Sequence, residues 1–456
     1  MQKGLSIIYV PLSGSKMKNL KKNWFYLLGT VVLFSVAFIK LYREYIKLPG
    51  LVDFAAYCAI SRAMFEGVNP FPDHFELLFC RYRWGSTVPI VFPGQWPFFA
   101  FFGYMWGNAI QIAYYVLNIA IICFLTAWTL VKACGCQWHD LWRPGKSQFL
   151  FALCSYCFLV SSNNIECLNC GQIPIILTFL IYCLFWGPAL RWLQVLMFTF
   201  IAVAKYSMLP VFAPLLFFKG HWKFCLISFS LFLFLSISPV FFGNNLVEVY
   251  SGYLKAVHIT FEPGGVNHYG TAPLLCHLGF FKIPILNHLL KLPAVGLVLW
   301  LFWRERKTGY LSDTLLLLAF SLTLLISYHR QYDTCILFPL IMIRLFDFSQ
   351  KRQWLFFGIT AFFPFFLIIP RTISYLMIPS FLGKMTIWAE PFIYMHNKPW
   401  GVSYTHLFPF TPFFTAALAL WSLYLYLHVK EPYRFELPTP KKKTKTLPVQ
   451  EPETLS

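Results

Sequence analysis

Charge is what this chain has least of. Asp, Glu, Lys and Arg make up 12% of its 456 residues, while 58% are hydrophobic and 20% aromatic. Soluble domains are roughly a quarter charged, so a water-covered globule is excluded. The mean hydropathy of +0.60 leaves a polytopic membrane protein. Carboxylates are the scarcest charges, 18 against 37 basic residues. No Asp-x-Asp occurs in the chain, so the sequence requires no divalent metal, and no cofactor is expected. Many of the thirteen cysteines lie inside apolar runs, where they behave as small hydrophobes. Cys167-Leu168-Asn169-Cys170 has Cys-x-x-Cys spacing but no histidine set to complete a zinc site, and free thiols are expected there. No small-residue cleavage site follows the first apolar run, 24–39, which favours a retained anchor over a signal peptide.

The formal charge of +19 does not describe a nucleic-acid binder, because much of it flanks the apolar body. Lys16, Lys18, Lys21 and Lys22 precede the first span; Lys430, Arg434 and Lys441-Lys442-Lys443-Thr444-Lys445 follow the last. Basic flanks on short tails mark the cytoplasmic side and offer membrane lipids about 1 kcal/mol of attraction per residue. The tail from Glu431, rich in Pro, Lys and Thr, is expected to be disordered. At about 20 apolar residues per crossing, the chain has room for about ten to thirteen transmembrane helices. Starting with the amino terminus inside gives about twelve: 24–41, 108–131, 149–161, 173–188, 192–205, 208–218, 225–242, 286–303, 311–327, 334–345, 354–369 and 408–427. Segment 89–107, opening with Pro93-Gly94-Gln95-Trp96-Pro97, is expected to be a re-entrant or partial helix; a full crossing would turn the later basic loops outward. The expected organisation is a basic tail over 1–22, one transmembrane body over 23–428 and a disordered basic tail over 429–456. That describes an all-α, multi-pass protein of the plasma (inner) membrane with both termini cytoplasmic.

This topology gathers polar side chains on the outer face. Asp53, on the first loop beyond the first span, can hold a negative charge there and accept a proton. Lys205 lies between two apolar half-helices, where it either snorkels to water or meets an anion such as phosphate. His329 and Arg330, with Tyr332 and Asp333, either cap two helices or form a cationic clamp in which Arg330 offers a planar fork of donors. Glu166 and Gln172 carry hydrogen-bonding groups suited to a sugar, although Gln172 could equally cap the following helix. Gln95, Arg81 and Arg83 complete the candidates. The stretch 54–67, with helical periodicity, is expected to lie along the membrane surface.

The same residues carry a resemblance. A first-loop Asp followed by Tyr and Gly-x-x-Pro-Tyr/Phe stands here as Asp53, Tyr57 and Gly67-Val68-Asn69-Pro70-Phe71. A Tyr-Pro-Pro-like segment is matched by Phe92-Pro93-Gly94-Gln95-Trp96-Pro97, and a Gly-Gln-x-Asn element by Gly171-Gln172-Ile173-Pro174. Lys-Pro-like and His-x-Tyr-Asp-like elements are matched by Lys205-Tyr206-Ser207-Met208-Leu209-Pro210 and His329-Arg330-Gln331-Tyr332-Asp333. In this pattern the chain resembles the polyprenyl-phosphate-mannose-dependent alpha-mannosyltransferases, family 87 of the C-type (GT-C) membrane glycosyltransferases. The resemblance implies a GT-C-like fold and an inverting hexosyltransferase, with mannose the expected sugar. It implies Asp53 as general base, a polyprenyl-phosphate-linked donor and a lipid or glycan acceptor of the cell envelope.

The residue inventory suits that chemistry. One carboxylate serves an inverting displacement, whereas a retaining one would usually need a second close by. Lys205, His329 and Arg330, helped by Arg81 or Arg83, are the cations available for a departing phosphate. Asp53, Gln172, Lys205 and His329 are accordingly expected to line one cavity at the outer boundary. The rival reading is a transporter or flippase for a lipid-linked or anionic solute.

Overall fold

The computed structural model describes residues 14–47, 52–71, 91–105, 107–161, 164–165, 167–168, 171–187, 191–205, 208–218, 221–261, 284–308, 310–326, 331–368 and 410–436. It is mostly helical. In chain order the helices are α1 (Gly14–Lys47), α2 (Val52–Phe65), α3 (Trp96–Tyr104), α4 (Asn108–Ala133), α5 (Lys146–Val160), α6 (Pro174–Trp186), α7 (Arg191–Ala204) and α8 (Leu209–Phe218). They continue as α9 (Trp222–Ile237), α10 (Leu246–Phe261), α11 (Pro284–Glu305), α12 (Asp313–Ile326), α13 (Phe338–Gln350), α14 (Trp354–Ile368) and α15 (Phe410–His428). Two short strands, β1 (Tyr310–Ser312) and β2 (Arg434–Glu436), pair antiparallel.

Every apolar segment expected to cross a membrane contains a helix. Among the described residues three are long and apolar enough to do so: Lys22–Arg43, Asn108–Ala133 and Trp222–Phe242. Others are shorter; the 13 residues of α6 span about 20 Å at 1.5 Å each, against a hydrocarbon core of about 30 Å. Proline and glycine set several of these limits. Pro174 opens α6 and the Gly187 N–H closes it on Cys183 O at 2.8 Å. The segment expected to be partial is a single 3-10 turn, Pro93–Gln95, running into the nine residues of α3, about 13.5 Å of helix.

Helix α2 does not lie with one face open. Phe54 and Cys58 join the main core, Ile60 and Met64 pack with Phe71 and Val91, and Ala56, Ala59 and Ala63 cluster near Val68. Against α3 the approach is close enough that a Cβ on Gly103 would meet Cys58 O at 2.5 Å. Its far end turns at Gly67, whose φ of +73° and contact with Phe242 O suit only glycine. Between the spans expected at 225–242 and 286–303 lies a further helix, α10. Val249, Tyr253 and Ala256, spaced as one helical face, bury against Ile60 and Met64.

Helix α6 runs through the core, packing on α4, α7 and the 3-10 turn Gln331–Leu337. At its Trp186 end it meets the carboxy-terminal strand. Leu311 pairs with Phe435, the Asp313 N–H donates to Tyr433 O at 3.0 Å, and Phe435 is fully buried against Phe185 and Trp186, ring centroids 5.4 Å away. Charges cluster nearby: buried Arg344 bonds Asp313 and reaches Asp347 at 3.2 Å, and Lys351 reaches Asp347 at 3.1 Å. The tail expected to be disordered from 429 therefore contains an ordered strand with a core residue; 437–456 lie outside the described residues. Replacing Phe435 by Ala should cost about 3–5 kcal/mol, the usual penalty for truncating a buried aromatic. Thermal unfolding of the detergent-solubilised variant checks this; an unchanged midpoint would mean the strand rests on the surface without stabilising it.

Candidate functional site

Asp53 stands in the first turn of α2, half-buried, where the helix N-terminus favours a carboxylate. Tyr57 follows one turn later on the same face. Its ring stacks on Phe99 of α3 at 5.4 Å, while Phe54 stacks on Tyr114 of α4 at 4.1 Å. Gln172 comes from the segment leading into α6. Its backbone N–H donates to Cys167 O at 2.9 Å, and its carbonyl accepts from Tyr114 Oη at 2.6 Å and Cys167 Sγ at 3.2 Å. From this anchored backbone the side chain reaches α2. Gln172 Nε2 donates to Asp53 Oδ2, and Gln172 Oε1 accepts from Tyr57 Oη at 2.8 Å. With the amide nitrogen toward Asp53 and the oxygen toward Tyr57, the arrangement suits an ionised carboxylate, which can only accept.

A second cluster forms where α7 ends. Lys205 Nζ donates to both Asp333 oxygens, at 2.8 and 2.6 Å. The Lys205 side chain is 15% exposed and that of Asp333 0%. Asp333 belongs to the turn Gln331–Leu337, which is tied to α6 by Thr178 Oγ1 against Cys335 Sγ at 3.1 Å and by Tyr182 Oη donating to Ile336 O at 3.0 Å. Gln95, also buried, donates to Val203 O at 3.0 Å and Ala204 O at 3.3 Å. It thereby serves carbonyls left open at the end of α7. Its Oε1 is buried with no hydrogen-bond partner among the described residues.

The two clusters share an end of the helical body. Helices α6 and α7 pack together and are separated by only a few residues at Gly187 and Arg191, so they run antiparallel. Gln172 precedes α6 and Lys205 follows α7, which brings both to the same end. Of the residues expected to converge, Asp53 and Gln172 are in contact, and Lys205 and Gln95 lie at the neighbouring helix end. His329, Arg330, Arg81, Arg83 and Glu166 lie outside the described residues. Arg62 bonds Glu66 of its own helix at 2.8 Å and reaches α3, donating to Gly103 O at 3.5 Å beneath Tyr104, whose centroid is 4.4 Å from the guanidinium.

Two participants had no assigned contact in the sequence reading. Tyr57 was legible as the tyrosine of the first-loop motif, with no partner assigned. Asp333 as the counter-charge of Lys205 leaves no local signal, because the residues are 128 positions apart. Lys205 meets a charge, as one of its two readings required, but that charge belongs to the chain. Among the described residues no group of three or more His, Cys, Asp or Glu could hold a metal. Cys167 is buried, and Cys154 and Cys157, a second pair at Cys-x-x-Cys spacing, are half-buried free thiols. Cys170 lies outside the described residues. No family model matches this chain, and no curated protein or solved structure matches it.

The Lys205–Asp333 pair has a direct test. Removing either partner strands the other charge in a poorly hydrated site, so Lys205→Ala or Asp333→Ala should each cost about 3–5 kcal/mol, whereas Lys205→Met with Asp333→Leu should recover most of it. Thermal unfolding of all three variants decides. Single variants as stable as the parent would show that water reaches both groups.

Proposed function

We propose that this chain is a GT-C-like membrane glycosyltransferase with about twelve spans, both termini cytoplasmic, in the plasma (inner) membrane. It moves a hexose, mannose by resemblance, from a polyprenyl-phosphate donor to a lipid or glycan acceptor on the extracytoplasmic side, with inversion. The observation that carries this reading is the Asp53 carboxylate held by Gln172, at the same end of the body as Lys205.

In this scheme Asp53 takes the proton of an acceptor hydroxyl while that oxygen attacks the anomeric carbon. The bond from that carbon to the phosphate oxygen breaks on the opposite face, and the lipid phosphate leaves as an anion. Lys205, His329 and Arg330, with Arg81 and Arg83, balance its charge. Because Asp333 already offsets Lys205, the arginines carry a larger share than a lone lysine would leave them. Glu166 supplies hydrogen bonds to sugar hydroxyls; Gln95, whose Nε2 serves the end of α7, offers only its Oε1. Carrier chemistry has one observation of its own: a buried Lys–Asp pair also marks ion and proton pathways.

Transfer from radiolabelled polyprenyl-phosphate hexoses by the purified, lipid-reconstituted protein tests the proposal; movement of lipid between leaflets without transfer would favour the carrier. Asp53→Asn should purify with parental stability, since asparagine still offers Gln172 an acceptor oxygen. It should transfer sugar at least about a hundredfold more slowly, as expected on losing a general base. Near-parental turnover in a correctly inserted variant would remove Asp53 from that role. Arg330→Ala should raise the donor KM about ten- to a hundredfold, the worth of one charge-assisted contact; an unchanged KM would move the clamp elsewhere.

A further inference from the structure

We infer that Gln172 and Tyr57 are positioning residues for Asp53, rather than sugar ligands, and that they act as one hydrogen-bonded chain. The inference rests on the reading of Asp53 as the reacting carboxylate and adds who holds it. Three features carry it. The bonds run head to tail, from Tyr57 Oη to the amide oxygen and from the amide nitrogen to Asp53 Oδ2, so each polarises the next. Gln172 is only 7% exposed, and its backbone carbonyl is held by Tyr114 at 2.6 Å. Tyr57 is fixed independently by its stack on Phe99 at 5.4 Å. An amide held on both sides has one orientation, and that orientation supports an anionic carboxylate.

The amide acts among several titratable neighbours. On α2 the titratable neighbours are Tyr57 and Cys58, with Arg62 and Glu66 paired to each other farther along. The elements packed around it contribute Tyr104, Tyr114, Tyr253 and Cys167. Of the cations on these elements, Arg62 bonds Glu66 at 2.8 Å and Lys255 lies exposed on α10. Losing Tyr57 Oη removes what fixes the amide's sense, so its oxygen can swing against the carboxylate. Losing the amide removes the donated N–H outright.

The test uses Gln172→Met and Tyr57→Phe in the full-length, lipid-reconstituted protein. Each should lower kcat, Gln172→Met by about ten- to a hundredfold and Tyr57→Phe by less, with the donor KM unchanged. Placed in the Asp53→Asn background, neither should cause further loss, because both act through that carboxylate. A raised KM at constant kcat, or full additivity with Asp53→Asn, would overturn the assignment and return Gln172 to the substrate.

A second arm needs no turnover. Difference infrared spectroscopy of the parent against Asp53→Asn isolates the Asp53 carboxyl band and its titration midpoint. An N–H donated to a carboxylate favours the charged form, so Gln172→Met should move that midpoint to higher pH. An unmoved midpoint would overturn the contact itself. If Gln172→Met fails to fold, Tyr57→Phe, which keeps its ring stack, carries both arms. A shifted midpoint together with a fully active Asp53→Asn would leave the chain of bonds standing while removing Asp53 as base.

Discussion

A charged or amide group inside an apolar helical body has no water to fall back on, and the described core is arranged around that constraint. Lys205 meets Asp333, Arg344 sits between Asp313 and Asp347, Gln95 serves the open end of α7, and Gln172 bridges Tyr57 and Asp53. Each contact joins elements far apart in the chain. Apolar side chains of similar size can repack with modest loss, so greasy helices alone fix their register loosely. Bonds that must be made at one spacing fix it tightly.

Helix α6 gathers these constraints. It is among the most buried helices, and its Ile175, Leu177, Ile181 and Tyr182 lie in the main cluster. One end carries the glutamine that reaches Asp53, its middle holds the turn bearing Asp333, and its other end receives Phe435. The proposed base, on α2, and the proposed phosphate-facing lysine, after α7, are thus each braced against α6 through a partner. For a displacement that needs a hydroxyl and a phosphate on opposite faces of one sugar carbon, a rigid common brace is what holds the geometry.

How much of this was legible follows from how far each signal travels. The helices were, because apolar runs between proline, glycine and basic residues are local features. So was the shortness of α3, written in Pro93 and Pro97. Asp53 stood out because carboxylates are rare in such a chain. Helix α10 was missed although Val249, Tyr253 and Ala256 are regularly spaced, since Glu248 and Lys255 among them made the stretch read as a loop. Lys205 and Asp333 could not be paired, because nothing local encodes a partner 128 residues away. Strand β2 was hidden by its setting: Tyr433 and Phe435 alternate with Arg434 and Glu436 as a strand requires, but the basic residues around them suggested a free tail. Length was the hardest property to read. Hydropathy marks where helices lie, while the ends of α6 are set by Pro174 and Gly187.

The pairing of β1 with β2 bears on the order in which the molecule is made. Phe185 and Trp186 leave the ribosome long before Phe435 does, so throughout synthesis their aromatic surface waits for a residue not yet translated. Until the last segment arrives, that end of α6 has to be sheltered by lipid, by another helix or by a chaperone. A chain truncated shortly before Tyr433 would contain every helix described here and still lack this contact.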